Sequence, residues 1–259
     1  ILLIRTNTLS RTTPNIIKNT IEDVYLFYIN IKNAFYNFFL FILEAIKFYP
    51  NKLLRKVDIE LFKIYAVRDQ FQVSIEESKD IFGIKEDLTY GEATWKSVYK
   101  IMEFVNVNIQ GSASKREFQE QNENLSRKKV FYDLGCGTGR ICFFINIFYG
   151  LETWGIDLIP TFIENAEKII EKFQLKNINF LQENWFDIAL EKADILYIAG
   201  TCFDDETLTK LVEKLKSLKQ GTIVISVSNW LKGEHLELIK TMNLPFSWGW
   251  AKVYISKVN

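Results

Sequence analysis

From Val130 onward the sequence alternates short apolar runs with amphipathic helices, and that alternation leaves few folds open. Val130 to Leu134 reads as a strand, Ile141, Phe144, Ile145 and Phe148 mark one face of a helix, and Thr153 to Asp157 reads as a second strand. Pro160 then stands at a first helical position, where its fixed φ already suits a helix, and Phe162, Ile163, Ala166, Ile169, Ile170 and Phe173 follow at helical spacing. Ile178 to Leu181 and Ile195 to Ala199 are further strands. Leu208, Leu211, Val212, Leu215 and Leu218 give the next helix its stripe, Gly221 ends it, and Thr222 to Val227 is rich in β-branched residues. Right-handed crossovers between such strands build a parallel sheet covered on both faces by helices, so the fold class is α/β. Leu236 to Phe246 and Ala251 to Val258 flank Ser247-Trp248-Gly249-Trp250 and predict a terminal antiparallel hairpin.

Open α/β sheets bind ligands beyond the carboxyl ends of their strands, so the turns there carry the chemistry. The first turn, Asp133-Leu134-Gly135-Cys136-Gly137-Thr138-Gly139-Arg140, follows a strand and opens a helix, and its glycines permit a tight turn with close backbone approach to a ligand. Arg140 stands where a dinucleotide fingerprint wants its last glycine. Asp133 would repel a pyrophosphate but suits the cationic ammonium of a methionine moiety. Asp157 closes the second strand about 20 residues beyond the turn, where an acid reaches ribose hydroxyls; the alternative is a helix cap before Pro160. Glu183-Asn184-Trp185, past the third strand, offers an amide for an adenine amino group and an aromatic face for its ring, or else an edge tryptophan on a surface loop.

Over roughly Lys129 to Val258 these residues resemble the class I methyltransferases. The resemblance implies S-adenosylmethionine as methyl donor and a seven-stranded, doubly wound, mostly parallel sheet, with Asp133, Gly135, Cys136, Gly137, Gly139, Asp157, Asn184, Trp185 and Gly200 around the donor. Upstream, Thr89-Tyr90-Gly91-Glu92-Ala93-Thr94-Trp95 looks like the Tyr-Gly-Glu loop of the disruptor-of-telomeric-silencing histone lysine methyltransferases. Ala199-Gly200-Thr201-Cys202-Phe203, followed by a helix from Asp204 to Leu218, is similar to the ATP-synthase c-subunit lysine methyltransferases, whereas the histone enzymes carry an asparagine pair where this chain has Ala199 and Gly200. These likenesses imply that Tyr90, Glu92 and Thr94 line the donor pocket, that Tyr90 and Glu92 serve catalysis, and that Phe203 shapes a lysine channel. The expected activity is methyl transfer to a protein lysine. A small-molecule acceptor is the alternative, and a non-catalytic nucleotide-binding protein is the alternative of another class. No Asn/Asp-Pro-Pro-aromatic signature of nucleobase or glutamine enzymes lies near Ala199 to Asp204.

The chain divides into an N-terminal helical segment over 1–75, a lead-in with the Tyr-Gly-Glu loop, a helix and a polar linker over 76–128, and the donor-binding core over 129–259. Tyr25, Tyr28, Phe35, Phe38, Phe39, Ile42, Ile46 and Tyr49 recur at helical spacing within Val24 to Tyr49, and a second helix with Leu53, Leu54, Val57, Leu61, Ile64 and Tyr65 follows Pro50 and Asn51. Both are expected to pack on the main domain or on each other, with membrane-surface contact as the alternative because Lys47, Lys52, Arg55 and Lys56 edge an aromatic face. Lys32 and Glu44 bound the uncharged run well short of the roughly 20 residues a membrane span needs. Lys115 to Lys129 is nearly without apolar residues and predicts a loop.

Composition excludes several chemistries. The 32 basic and 32 acidic side chains cancel, so the whole molecule makes no field that would draw it to nucleic acid, and no nucleic-acid partner is expected. Cys136, Cys142 and Cys202 lack metal-ligand spacing, which predicts reduced packing thiols, a cytoplasmic setting and no metal. His235, the sole histidine, is expected at the surface, and one histidine leaves little room for a triad or a His-rich site.

Overall fold

A computed structural model of the chain describes residues 15–82, 91–106, 128–201 and 203–259. The seven strands form one sheet in the order β3-β2-β1-β4-β5-β7-β6. They are β1 (Val130–Leu134), β2 (Glu152–Asp157), β3 (Ile178–Gln182), β4 (Ile195–Ile198), β5 (Ile223–Val227), β6 (Leu236–Phe246) and β7 (Gly249–Val258). The first five run parallel, and β7 pairs antiparallel with both β5 and β6. Chain order reverses between β1 and β4, and it is there that such a sheet opens a crevice at its carboxyl edge.

The central strands are apolar on both sides because helices cover both. Along β1 the side chains alternate: Val130, Tyr132 and Leu134 join Leu211 of α7 (Asp205–Lys214) and Leu215 just past its end, while Phe131 joins a second cluster. That second cluster includes Trp95, Val98, Ile101 and Met102 of α4 (Trp95–Phe104) and Ile141 and Phe144 of α5 (Arg140–Phe144). The alternation puts Asp133 on the α4 and α5 side of the sheet, where a residue of its type is otherwise absent from the strand. The α5 helix widens into a π turn at Ile145–Tyr149, so the expected continuous helix to Phe148 changes pitch; Gly150, at φ +74°, ends it. A third cluster joins α6 (Pro160–Phe173) to Val57 and Leu61 of α2 (Lys52–Tyr65) and Val73 of α3 (Gln70–Phe82).

Three expectations need correction, and a fourth falls outside the described residues. The long helix α1 (Asn15–Phe48) starts well before Val24, and only Leu40, Glu44 and Phe48 of its described side chains are buried. Its aromatic stripe is left uncovered: Phe35, Phe38, Phe39 and Ile46 are 71%, 63%, 60% and 71% exposed. The boundary expected after residue 75 falls inside α3, which Asp69 starts by accepting from the Phe71 amide at 2.8 Å. His235 is half-buried, with its ring against Gly233 and its Nε2 buried without a partner among the described residues. The linker expected over 115–129 lies almost wholly outside the described residues.

The N-terminal helices are fixed to the core by a buried guanidinium. Arg140, at the start of α5, donates from Nε to Asp58 Oδ1 at 2.8 Å and from its terminal nitrogen to Glu44 Oε2 at 3.0 Å, while its plane lies 4.2 Å from the Trp95 ring centroid. Burial alone would lower the Arg140 pKa, but the charges of Asp58, Glu44 and Glu92 reverse this and hold it well above the ordinary value. Glu44 and Asp58 are 3% and 6% exposed. Arg140→Leu should therefore leave two buried carboxylates unpaired and cost about 3–5 kcal/mol in urea unfolding. Adding Glu44→Gln and Asp58→Asn to it should recover part of that loss.

Candidate active site

The glycine turn lies at the crevice between β1 and β4. Gly135, Gly137 and Gly139 take φ of +82°, +52° and +75°, which residues with a side chain rarely adopt. Two of them also meet space requirements of opposite kind. A Cβ on Gly139 would stand 2.6 Å from the Phe180 ring, whereas one on Gly135 would meet nothing within 4 Å, because Gly135 faces the cavity. The Gly135 and Cys136 amides donate to Ile156 O at 2.8 and 3.0 Å, and the Gly137 amide donates to Asp157 Oδ2 at 2.7 Å. The turn is thus held from β2 through both its backbone and its terminal acid.

The cavity at this turn is walled by Gly91, Glu92 and Ala93 on one side, by Asp133 to Thr138 and Asp157 at its base, by Tyr197 of β4, and by Ala199, Thr201 and Phe203 beyond that strand. Asp133 and Tyr197 are partners in the β1 to β4 register. Asp133 is 3% exposed and accepts from the Cys142 thiol at 3.6 Å. Burial, first, and the charge of Asp157 raise its pKa to about 7, against the hydrogen bond from Cys142. Tyr197 is 2% exposed, and its hydroxyl has no partner among the described residues. Burial drives the Tyr197 pKa far up, so the group is a neutral donor. Asp157 is raised in the same direction by burial and lowered by the amides of Ile159, Gly137 and Leu158.

The expected residues divide between this wall and its support. Glu92, Asp133, Gly135, Cys136, Gly137, Asp157 and Phe203 line the cavity together. Thr94 does not: its hydroxyl caps α4 by accepting from the Ser97 amide at 3.2 Å and donates to Pro245 O at 3.0 Å. Gly139 supports the turn from outside the wall. Gly200 packs beneath Phe203, where a Cβ would come within 2.8 Å of the ring, and its carbonyl accepts from Asn229 Nδ2 at 2.7 Å. Asn184 spends its side-chain oxygen on the Phe186 amide at 3.0 Å, and Trp185 is buried between Phe186 and Phe203. Neither Asn184 nor Trp185 lines the cavity: the first holds a turn and the second packs among aromatic rings. Tyr90 lies outside the described residues.

The wall near Glu92 is stapled to the hairpin. Glu92 donates its amide to Ser247 Oγ at 3.0 Å and accepts from the Ser247 amide at 3.1 Å. The Trp248 ring lies on Gly91, where a Cβ would come within 2.7 Å. The Glu92 carboxylate is 3.8 Å from Arg140 Nε, which ties the cavity wall to the buried cluster.

This sheet order, with a glycine turn and a buried acid at the end of β1, defines a class I, S-adenosylmethionine-dependent methyltransferase domain. Residues 125–252 match the family described as a methyltransferase domain. Among curated proteins, the chain is 25% identical over 134 residues to a probable S-adenosylmethionine-dependent methyltransferase of Saccharomyces cerevisiae, covering 50% of this chain and 45% of that protein. It is 23% identical over 137 residues to a histone-lysine N-methyltransferase, H3 lysine-79 specific, of Emericella nidulans, covering 48% of this chain and 27% of that one. The chain thus spans less than half the length of these curated relatives. Among solved structures, an RNA methyltransferase from Salinibacter ruber in complex with S-adenosyl-L-homocysteine superposes with a TM-score of 0.44 at 23% identity, over 56% of this chain and 89% of that one.

The cavity residues fit that donor. A buried carboxylate bonded only to a thiol and, beside it, a buried hydroxyl without a partner among the described residues suit the ammonium and carboxylate of an amino acid. Because its folded-state pKa is raised, Asp133 in its neutral form contributes stability that is present near pH 4 and is lost as pH rises toward about 7. A bound cation favours the ionised form. Donor affinity should therefore rise with pH up to about 7, with a proton released on binding below that value, measured by calorimetry in buffers of different ionisation heat. Asp133→Asn should abolish the proton release. Tyr197→Phe should weaken donor binding about tenfold, or about 1.4 kcal/mol, while raising stability by about 1 kcal/mol through removal of an unpaired hydroxyl.

Proposed function

We propose that the protein transfers the methyl group of S-adenosylmethionine to a lysine side chain of a protein. The observation that carries this reading is Glu92, a carboxylate in the cavity wall whose backbone is fixed to Ser247 on both sides and which lines the same cavity as Phe203. An incoming lysine carries a positive charge that Glu92 attracts, and an apolar ring such as Phe203 desolvates its amine, which lowers the pKa of lysine and favours the neutral nucleophile. The bound donor supplies an electrophilic methyl on a cationic sulfur. The N–C bond forms as the S–C bond breaks, and the amine proton leaves to Glu92 or to water. The remaining demand is alignment and exclusion of water, which a rigid wall provides. Likeness to a histone-lysine methyltransferase across 48% of this chain supports the same acceptor class.

Labelled S-adenosylmethionine incubated with the protein and a cell lysate, then separated into protein, RNA and small molecules, tests the reading. Label should appear on protein lysines. Glu92→Gln should lower that turnover about a hundredfold while the donor still binds. Label confined to RNA or small molecules would replace the lysine acceptor.

A further inference from the structure

We propose that the pair α1 and α2 docks the enzyme on an anionic lipid surface. In α1, Ile31, Phe35, Phe38, Phe39, Ile42 and Ile46 follow helical spacing and form one stripe about 100° wide. Leu40, Glu44 and Phe48, the side chains that meet the core, lie on the opposite side of the same helix. The stripe therefore faces away from the protein's own core, with most of its rings more than half exposed. No charge interrupts it between Lys32 and Glu44. Isolated exposed apolar residues are ordinary, but a contiguous row of phenylalanines marks an interaction surface.

Charge decides what that surface meets. The chain as a whole is neutral, yet residues 31–67 carry Lys32, Lys47, Lys52, Arg55, Lys56 and Lys63 against Glu44, Asp58 and Glu60. Glu44 and Asp58 are buried and face Arg140, and Glu60 accepts from Lys172 at 2.6 Å. The solvent side of α1 and α2 is left cationic. On α2, Lys52, Lys56 and Lys63 share one face with exposed Ile59, and Phe62 is 76% exposed beside it. Aromatic residues with a cationic border are what binding at the headgroup boundary of an anionic bilayer requires. No helix among the described residues is long and apolar enough to cross a membrane, so the contact is peripheral.

Co-sedimentation of the full chain with vesicles tests this. The protein should partition onto phosphatidylcholine vesicles containing about a third phosphatidylserine and stay in solution with phosphatidylcholine alone. Binding should fall tenfold or more in the triple variant Lys52→Glu, Arg55→Glu, Lys56→Glu. It should fall as much in Phe35→Ser with Phe39→Ser, and thermal unfolding should stay unchanged in both because none of these side chains is buried. Absence of binding to the acidic vesicles, or equal binding to both lipids, overturns the proposal. So does a dimer in sedimentation equilibrium that Phe35→Ser with Phe39→Ser dissolves while acidic vesicles bind nothing, since the stripe would then join two copies of the chain.

Discussion

The guanidinium of Arg140 is the contact on which the arrangement turns. It sits one residue past the glycine turn and reaches Glu44 of α1, Asp58 of α2 and Glu92 of the cavity wall, over the face of Trp95. A buried ion pair stabilises little in net terms, because desolvation consumes most of the attraction. Its effect is specificity. With Tyr49 donating to Asp58 at 2.9 Å and the Lys96 amide donating to Glu44 at 3.1 Å, the cluster ties the α1–α2 pair, the Glu92 wall and the first turn of α5 together.

The cavity base follows the opposite rule. Asp133 is buried in the sheet with only a thiol donating to it, and the Tyr197 hydroxyl beside it is without a partner among the described residues, while the other positions of β1 and β4 are buried and packed. Polar groups held ready in this way give up stability for binding, a trade that concentrates at functional sites. Burial holds the Asp133 carboxyl above its ordinary range, as such a trade requires.

Much of this was readable in the sequence. The strands were, because buried parallel strands are short apolar runs that glycines and polar residues delimit. The glycine turn, Asp133 and Asp157 were, because their spacing is local. Tyr197 was not: within Ile195-Leu196-Tyr197-Ile198 it reads as one more core residue, and only its register beside Asp133 gives its hydroxyl meaning. Nor was the cluster at Arg140, whose partners lie 82 and 96 residues away in sequence. Thr94 and Asn184 stand apart from the cavity wall for one physical reason. Short polar side chains near helix starts and turns bond first to adjacent backbone, and these two are spent there. Amphipathic spacing in α1 correctly announced a helix with an apolar face, but periodicity carries no information on which face the core takes.

The two hydrogen bonds between Glu92 and Ser247 span 155 residues of chain. One wall of the cavity therefore rests on the tip of the β6–β7 hairpin, which leaves the ribosome after every other described element. A growing chain can hold its glycine turn, both acids and the parallel strands and still lack a closed pocket. Chains grow at about 5–20 residues per second, so for several seconds a nascent molecule has the parts of a donor site without its enclosure. Ligand capture is thereby coupled to the making of the hairpin, and a molecule that lacks it would be left with an open crevice.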